Sequence, residues 1–164
     1  MKGTGTLRKR GLGLIAGLAL IGVIAGAAWA ATSRSAPISR FDGVDEIVEA
    51  CKTSNNYTTM PQMTRTFTLG GNVNDEVVAM FEGSMSLDTS QGNFDTGFIR
   101  LTIDGVQQTP GEIPAIAPGE RGTHGFNWQS RPLTPGTHTA RVQWRTDLGS
   151  SFCVDARSLI ILHK

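Results

Sequence analysis

From Thr64 to the end of the chain, apolar and polar residues alternate with a period of two, broken every eight to twelve residues by Gly, Pro, Asn or Asp. Side chains on an extended strand point alternately to opposite faces, so this pattern specifies half-buried strands and excludes long amphipathic helices. Val77, Ala79, Phe81, Met85 and Leu87 share one face of a strand whose other face carries Glu82, Ser84, Ser86 and Asp88, with Gly83 expected as a bulge or bend. Ile99, Leu101 and Ile103 alternate with Arg100, Thr102 and Asp104, and Asp104-Gly105 is a strong hairpin signal. The clearest strand opens at Thr134-Pro135-Gly136-Thr137, a turn with Pro and Gly at its centre. It places His138, Ala140, Val142 and Trp144 on one side and Thr139, Arg141, Gln143 and Arg145 on the other.

Other segments are less regular. Residues 41–50 fit a helical spacing at Val44, Ile47 and Val48 and equally an extended arm, and are expected to form an edge element. Residues 53–61, with Asn55, Asn56 and Pro61, and the Pro- and Gly-rich residues 107–122 read as loops. Phe126 and Trp128 fall in phase on one face. Residues 152–155 and 158–163 read as two final strands, and Leu159-Ile160-Ile161-Leu162 is apolar enough to be buried on both faces or packed on a partner. Seven or eight short strands predict an all-β single sandwich, in which a jelly-roll or related Greek-key arrangement sets the end strands side by side.

The N-terminus predicts where such a domain works. Lys2, Arg8, Lys9 and Arg10 precede an apolar stretch, residues 12–25, and the small-residue motif Ala28-Trp29-Ala30, the three parts of a secretory signal in order. Residues 11–31 are also uncharged and long enough to span a bilayer, so an uncleaved anchor is the alternative. Either reading puts the domain outside the cytoplasm, secreted or at the cell surface. Residues 1–30 form the signal or anchor, 31–63 an N-terminal arm and 64–164 the sandwich. Without residues 1–30, 11 of the 15 basic side chains remain against 14 acidic ones, a formal net charge of −3 instead of +1. That balance argues against nucleic acid or anionic lipid as partner. Two cysteines, Cys51 and Cys153, predict one disulfide in an oxidising compartment.

The run from Pro132 to Trp144, then Arg157-Ser158-Leu159-Ile160-Ile161-Leu162, resembles the C-terminal half of jelly-roll domains in bacterial and phage surface proteins and carbohydrate-binding modules. There a Leu followed by a Gly-x-His turn, here Leu133 and Gly136-Thr137-His138, opens a strand near the end. Asp104-Gly105 after a hydrophobic strand is similar to their hairpin. The likeness concerns turn geometry over about half of the mature chain and implies fold rather than ligand.

No catalytic motif occurs. Gly83-Ser84-Met85-Ser86 lacks the second Gly of a nucleophile elbow, His138 sits on an apolar strand face, and no carboxylate pair is singled out for glycoside hydrolysis, so no enzyme and no cofactor are expected. Asp88, Ser90, Asn93 and Asp95 offer hard oxygens in one turn, the ligands calcium takes. Ile99 stands where an EF-hand needs Glu, and a polar turn without metal is the simpler reading. Arg100, Arg141, Gln143 and Arg145 are the candidate ligand-binding residues, projecting from polar strand faces where guanidinium forks can grip sugar hydroxyls or a carboxylate. The expected function is non-catalytic binding of a glycan or other envelope ligand. A structural or adhesive homo-oligomer with no small ligand is the alternative.

Overall fold

A computed structural model describes residues 40–72, 74–88 and 95–164. The leader, residues 1–30, and Ser90 and Asn93 of the acidic turn lie outside these residues. Among the described residues the chain forms strands and no helix, all strand pairs being antiparallel. The first sheet has the order β1 (Arg40–Glu46), β10 (Phe152–His163), β4 (Val78–Leu87), β8 (Arg121–Gln129), with the short β2 (Ala50–Lys52) beside β10. The second has the order β3 (Thr58–Leu69), β9 (Gly136–Thr146), β5 (Gly97–Ile103), β6 (Val106–Gln107), with β7 (Ile113–Ile116) also on β5.

The pairing is nested: β1 with β10, β3 with β9, β4 with β8 and β5 with β7. Successive nested pairs fall in alternate sheets, which is a long antiparallel ribbon wrapped into a sandwich, the jelly-roll order. The end strands do lie side by side, and Cys153 pairs with Cys51 across β10 and β2, their sulfurs bonded at 2.05 Å.

The alternation read from sequence places the core. Phe81, Met85, Leu159, Ile161 and Trp128 from the first sheet meet Phe67, Ile99, Leu101, Val142 and Trp144 from the second, all at most 2% exposed. Trp128 Nε1–H donates to the Gly111 carbonyl at 3.1 Å, which satisfies its buried donor and ties the 107–122 segment to the core. Gly97 is hemmed in so closely that a Cβ would stand 2.8 Å from Ile116 of its own sheet and 2.9 Å from Phe152 of the other. The Asp104-Gly105 hairpin is present. Both residues have positive φ, 50° and 84°, as a two-residue turn matching the twist of its strands requires.

Several local expectations need correction. Residues 53–61 are not all loop, because β3 begins at Thr58. Pro61 is tolerated there by an irregularity between Thr59 and Thr64, where Gln62 takes φ 63°. Residues 107–122 hold the edge strand β7 with its Pro114. The expected bulge at Gly83 lies across the ladder instead: Gly83 pairs regularly with His124, and the register slips on β10 between Val154 and Arg157. Residues 152–163 are therefore one bulged strand. In it Leu159 and Ile161 are buried while Ile160 and Leu162 face outward, partly exposed. Residues 41–50 resolve into β1, the turn after it and the start of β2.

Candidate functional site

The outward face of the second sheet gathers the four residues singled out from sequence. Strand alternation points Arg141, Gln143 and Arg145 of β9 away from the core, and the ladder sets them opposite β5: Arg145 beside Phe98, Gln143 beside Arg100, Arg141 beside Thr102. On the other flank β3 sets Thr59 beside Gln143, Thr64 beside Arg141 and Thr66 beside Thr139. The face is thus a lattice of Thr, Arg and Gln with aromatic residues at one end.

That end is tightly knit. Arg100 Nε–H donates to Gln143 Oε1 at 2.9 Å and its Nη1 to Gln107 Oε1 at 3.1 Å, while its guanidinium lies 3.8 Å over the Tyr57 ring. Arg145 forks onto Glu112, Nε to Oε2 at 3.1 Å and Nη2 to Oε1 at 3.0 Å, reaches Asp147 at 2.9 Å, and covers Phe98 at 4.2 Å. The Tyr57 hydroxyl donates to Glu112. The Arg145 fork holds the Glu112 carboxyl below its ordinary pKa, and burial together with the Glu112 hydrogen bond raises the Tyr57 phenol above its own. Arg145 is pushed up in turn, first by Glu112, and all three groups keep their usual charge over a wide pH range.

Sequence reasoning missed Tyr57, Gln107 and Glu112. All three sat in or beside segments read as loops, and nothing local marks them: Glu112 reaches Arg145 across a separation of 33 residues and Tyr57 across 55.

The remaining candidates have structural work. Asp95, 1% exposed, accepts four backbone N–H groups, from Thr96, Asp147 and Leu148 on Oδ1 at 2.7–2.8 Å and from Ser150 on Oδ2 at 2.7 Å. Desolvation opposes its charge, but these four bonds outweigh it and lower its pKa. The Asp88 amide donates to the Ser151 carbonyl at 2.9 Å. His138 is buried between Asp104 Oδ2, 2.7 Å from Nδ1, and the Thr134 carbonyl, 2.8 Å from Nε2. His163 is held between Asp42 and the Lys164 carbonyl, both at 3.0 Å. Arg157, 4% exposed, spends its donors on the carbonyls of Pro61, Val48, Val154 and Asp155 at 2.7–3.2 Å, filling the β10 irregularity.

The first sheet offers a different surface. A hollow of about 250 Å³ runs over Met80, Ile160, Gly125 and Asn127, and a second of about 370 Å³ over Asp45, Glu82, Ser84 and Thr123. Val78 and Met80 are 38% and 42% exposed along this face.

No protein-family model matches the chain, and no curated protein sequence matches it. Among solved structures it is similar to the infectious bursal disease virus VP2 subviral particle, at 10% identity and TM-score 0.49 over 76% of this chain and 32% of that one. It is also similar to a family 35 carbohydrate-binding module from Clostridium thermocellum, at 12% identity and TM-score 0.34 over 72% and 97% of the two chains. A third is the CBM36-1 domain of a multidomain xylanase from the hindgut metagenome of Trinervitermes trinervoides, at 10%, 0.37, 73% and 96%. The chain spans about a third of the viral chain it matches. The two-layered, jelly-roll description rests on the strand pairing itself: the described residues form an all-β sandwich, with β2 and β10 cross-linked in the first sheet and the polar outer face on the second.

Proposed function

We propose that the protein is an exported, non-catalytic binding module that holds an extracellular or cell-envelope glycan on the outward face of the second sheet, through Arg100, Arg141, Gln143 and Arg145. One observation carries this reading: the β3–β9–β5 register assembles these residues into one contiguous face, with Tyr57 stacked on Arg100, and the Arg100, Gln143 and Arg145 groups are held in place before any ligand arrives. Preorganised donors lose less conformational entropy on binding. Export is supported by the three-part leader in residues 1–30 and by the Cys51–Cys153 bond, which persists in oxidising compartments. In this reading residues 31–63 and 64–164 act together as the exported part, and the imidazoles of His138 and His163 serve structure. A glycan array tests it: binding that disappears in Arg141→Ala supports the reading, and silence on the array or binding indifferent to that change refutes it.

A second reading, a structural homo-oligomer, is favoured by the partly exposed row Val78, Met80, Ile160 and Leu162 on the first sheet. Light scattering that shows a stable multimer together with silent arrays would select it.

A further inference from the structure

We infer that the ligand class of this face is a carboxylate-bearing polysaccharide whose acid group is received by Arg141, an inference that rests on the glycan-binding reading above. The argument begins with charge. Three guanidiniums, Arg100, Arg141 and Arg145, stand with three carboxylates, Glu112, Asp147 and Asp104, of which Arg145 takes the first two and His138 the third. Arg100 is committed to two glutamine carbonyls and the Tyr57 ring. Arg141 makes no hydrogen bond or ion pair through its side chain among the described residues. Asp104 lies close enough for Arg141 to act on it through space, but makes no direct ion pair with it and is already bound to His138 and to the Thr139 amide.

Hydrogen-bond capacity points the same way. Gln143 and Gln107 have used their carbonyl oxygens as acceptors for Arg100, which leaves their amide N–H groups to donate. The face between β3 and β5 thus presents a guanidinium and amide N–H groups that can only donate, beside the exposed hydroxyls of Thr59, Thr64 and Thr66, which can donate or accept. A partner that satisfies it must bring acceptors, and a planar carboxylate matches a free guanidinium fork bidentately.

The exported chain as a whole has a formal net charge of −3, so a dense polyanion is repelled over most of the surface. Sparse acid groups separated by hydroxyls fit better. The β9 outward row from Thr137 to Arg145 measures about 27 Å at the antiparallel rise, long enough for an extended chain of several sugar rings to lie flat over short threonine side chains.

The test uses the full exported domain with its disulfide intact, against hyaluronate and partly esterified polygalacturonate, whose acid groups are spaced by uncharged rings, and the full methyl ester of each. The expected result is binding to at least one acid form about tenfold tighter than to its ester, a preference removed by Arg141→Gln and partly restored by Arg141→Lys. Equal binding to acid and ester that is still lost in Arg141→Gln overturns the inference and leaves the glycan-binding reading standing, whereas binding and preference that both survive Arg141→Gln overturn both. Equal binding of a phosphodiester polymer also overturns it. Silence on these polymers with binding to neutral glycans refutes the acid group alone, and silence on every glycan refutes both. Unchanged melting of the Arg141 variants separates loss of binding from loss of fold.

Discussion

Asp95→Ala should be one of the most destabilising single substitutions in the domain. The carboxylate clamps the turn between β9 and β10 onto the entry to β5 through four backbone donors, and removing it strands them unequally. Ser150 N–H is buried and has no water to turn to, at about 1–3 kcal/mol for an unsatisfied group. Thr96, Asp147 and Leu148 are nearer solvent, and each loses only the net value of a charge-assisted bond, about 0.5–1 kcal/mol after rehydration. The sum is about 2.5–6 kcal/mol, or about 8–25 °C in Tm for a domain of this size. Asp95→Asn should recover only part, because its amide oxygen can keep the three Oδ1 bonds while its NH2 group faces the buried Ser150 N–H. Melts followed by circular dichroism, with the disulfide intact, read this out. Because the folded pKa is lowered, the contribution is complete above the ordinary value of 3.8 and is lost as pH falls through the folded one, so wild type and variant should converge in acid. A Tm within about 3 °C of wild type at neutral pH would refute the clamp. A Tm that rises with calcium in wild type but not in the variant would show a metal site instead.

Replacing Cys51 and Cys153 together by Ala opens a cross-link spanning 102 residues and should cost about 2–5 kcal/mol, measured by urea unfolding. His138→Gln tests a pH window. Desolvation works against the imidazolium, yet Asp104 and the Thr134 carbonyl raise its pKa above 6.5, while Asp104 is lowered below 3.8. The ion pair therefore stabilises between those limits: its His part is complete below 6.5 and lost as pH rises through the raised value, its Asp part lost as pH falls through the lowered one. The Tm deficit of the variant should be largest between the ordinary values of 3.8 and 6.5 and narrow as pH rises through the raised folded value of His138. Gly97→Ala forces a Cβ to within 2.8 Å of Ile116 and 2.9 Å of Phe152, and should destabilise by about 1–3 kcal/mol in the same unfolding assay. Arg157→Met leaves four carbonyls without their donor and should lower stability by about 2–4 kcal/mol, with faster hydrogen exchange at Val48 and Pro61's neighbours as the local sign.

Strand content, face assignment and the Asp104-Gly105 turn were legible in the residues alone, because each depends on neighbours two to four positions apart. Period-two alternation states which side chains face the core before any partner strand is known, so the inward row His138, Ala140, Val142, Trp144 and the outward row Thr139, Arg141, Gln143, Arg145 could be read directly. Strand irregularities were not legible. Pro61 reads as a breaker until β9 offers it a place where the ladder already slips, and Gly83 reads as a bulge until β10 takes the extra residues instead.

The candidate face divides along the same line. Arg100 and the β9 residues announce themselves by alternation, and their sharing of one surface needed only that β5 and β9 be neighbours. Tyr57, Gln107 and Glu112 joined them only in three dimensions, since a ring stacked on a guanidinium or a carboxylate gripping one across 33 residues leaves no trace in local spacing. Which guanidinium is neutralised and which stays open was likewise decided by the fold. Local chemistry can say that three arginines face outward, but only the packing of the 107–122 segment puts Glu112 on Arg145 and leaves Arg141 without a direct side-chain partner among the described residues.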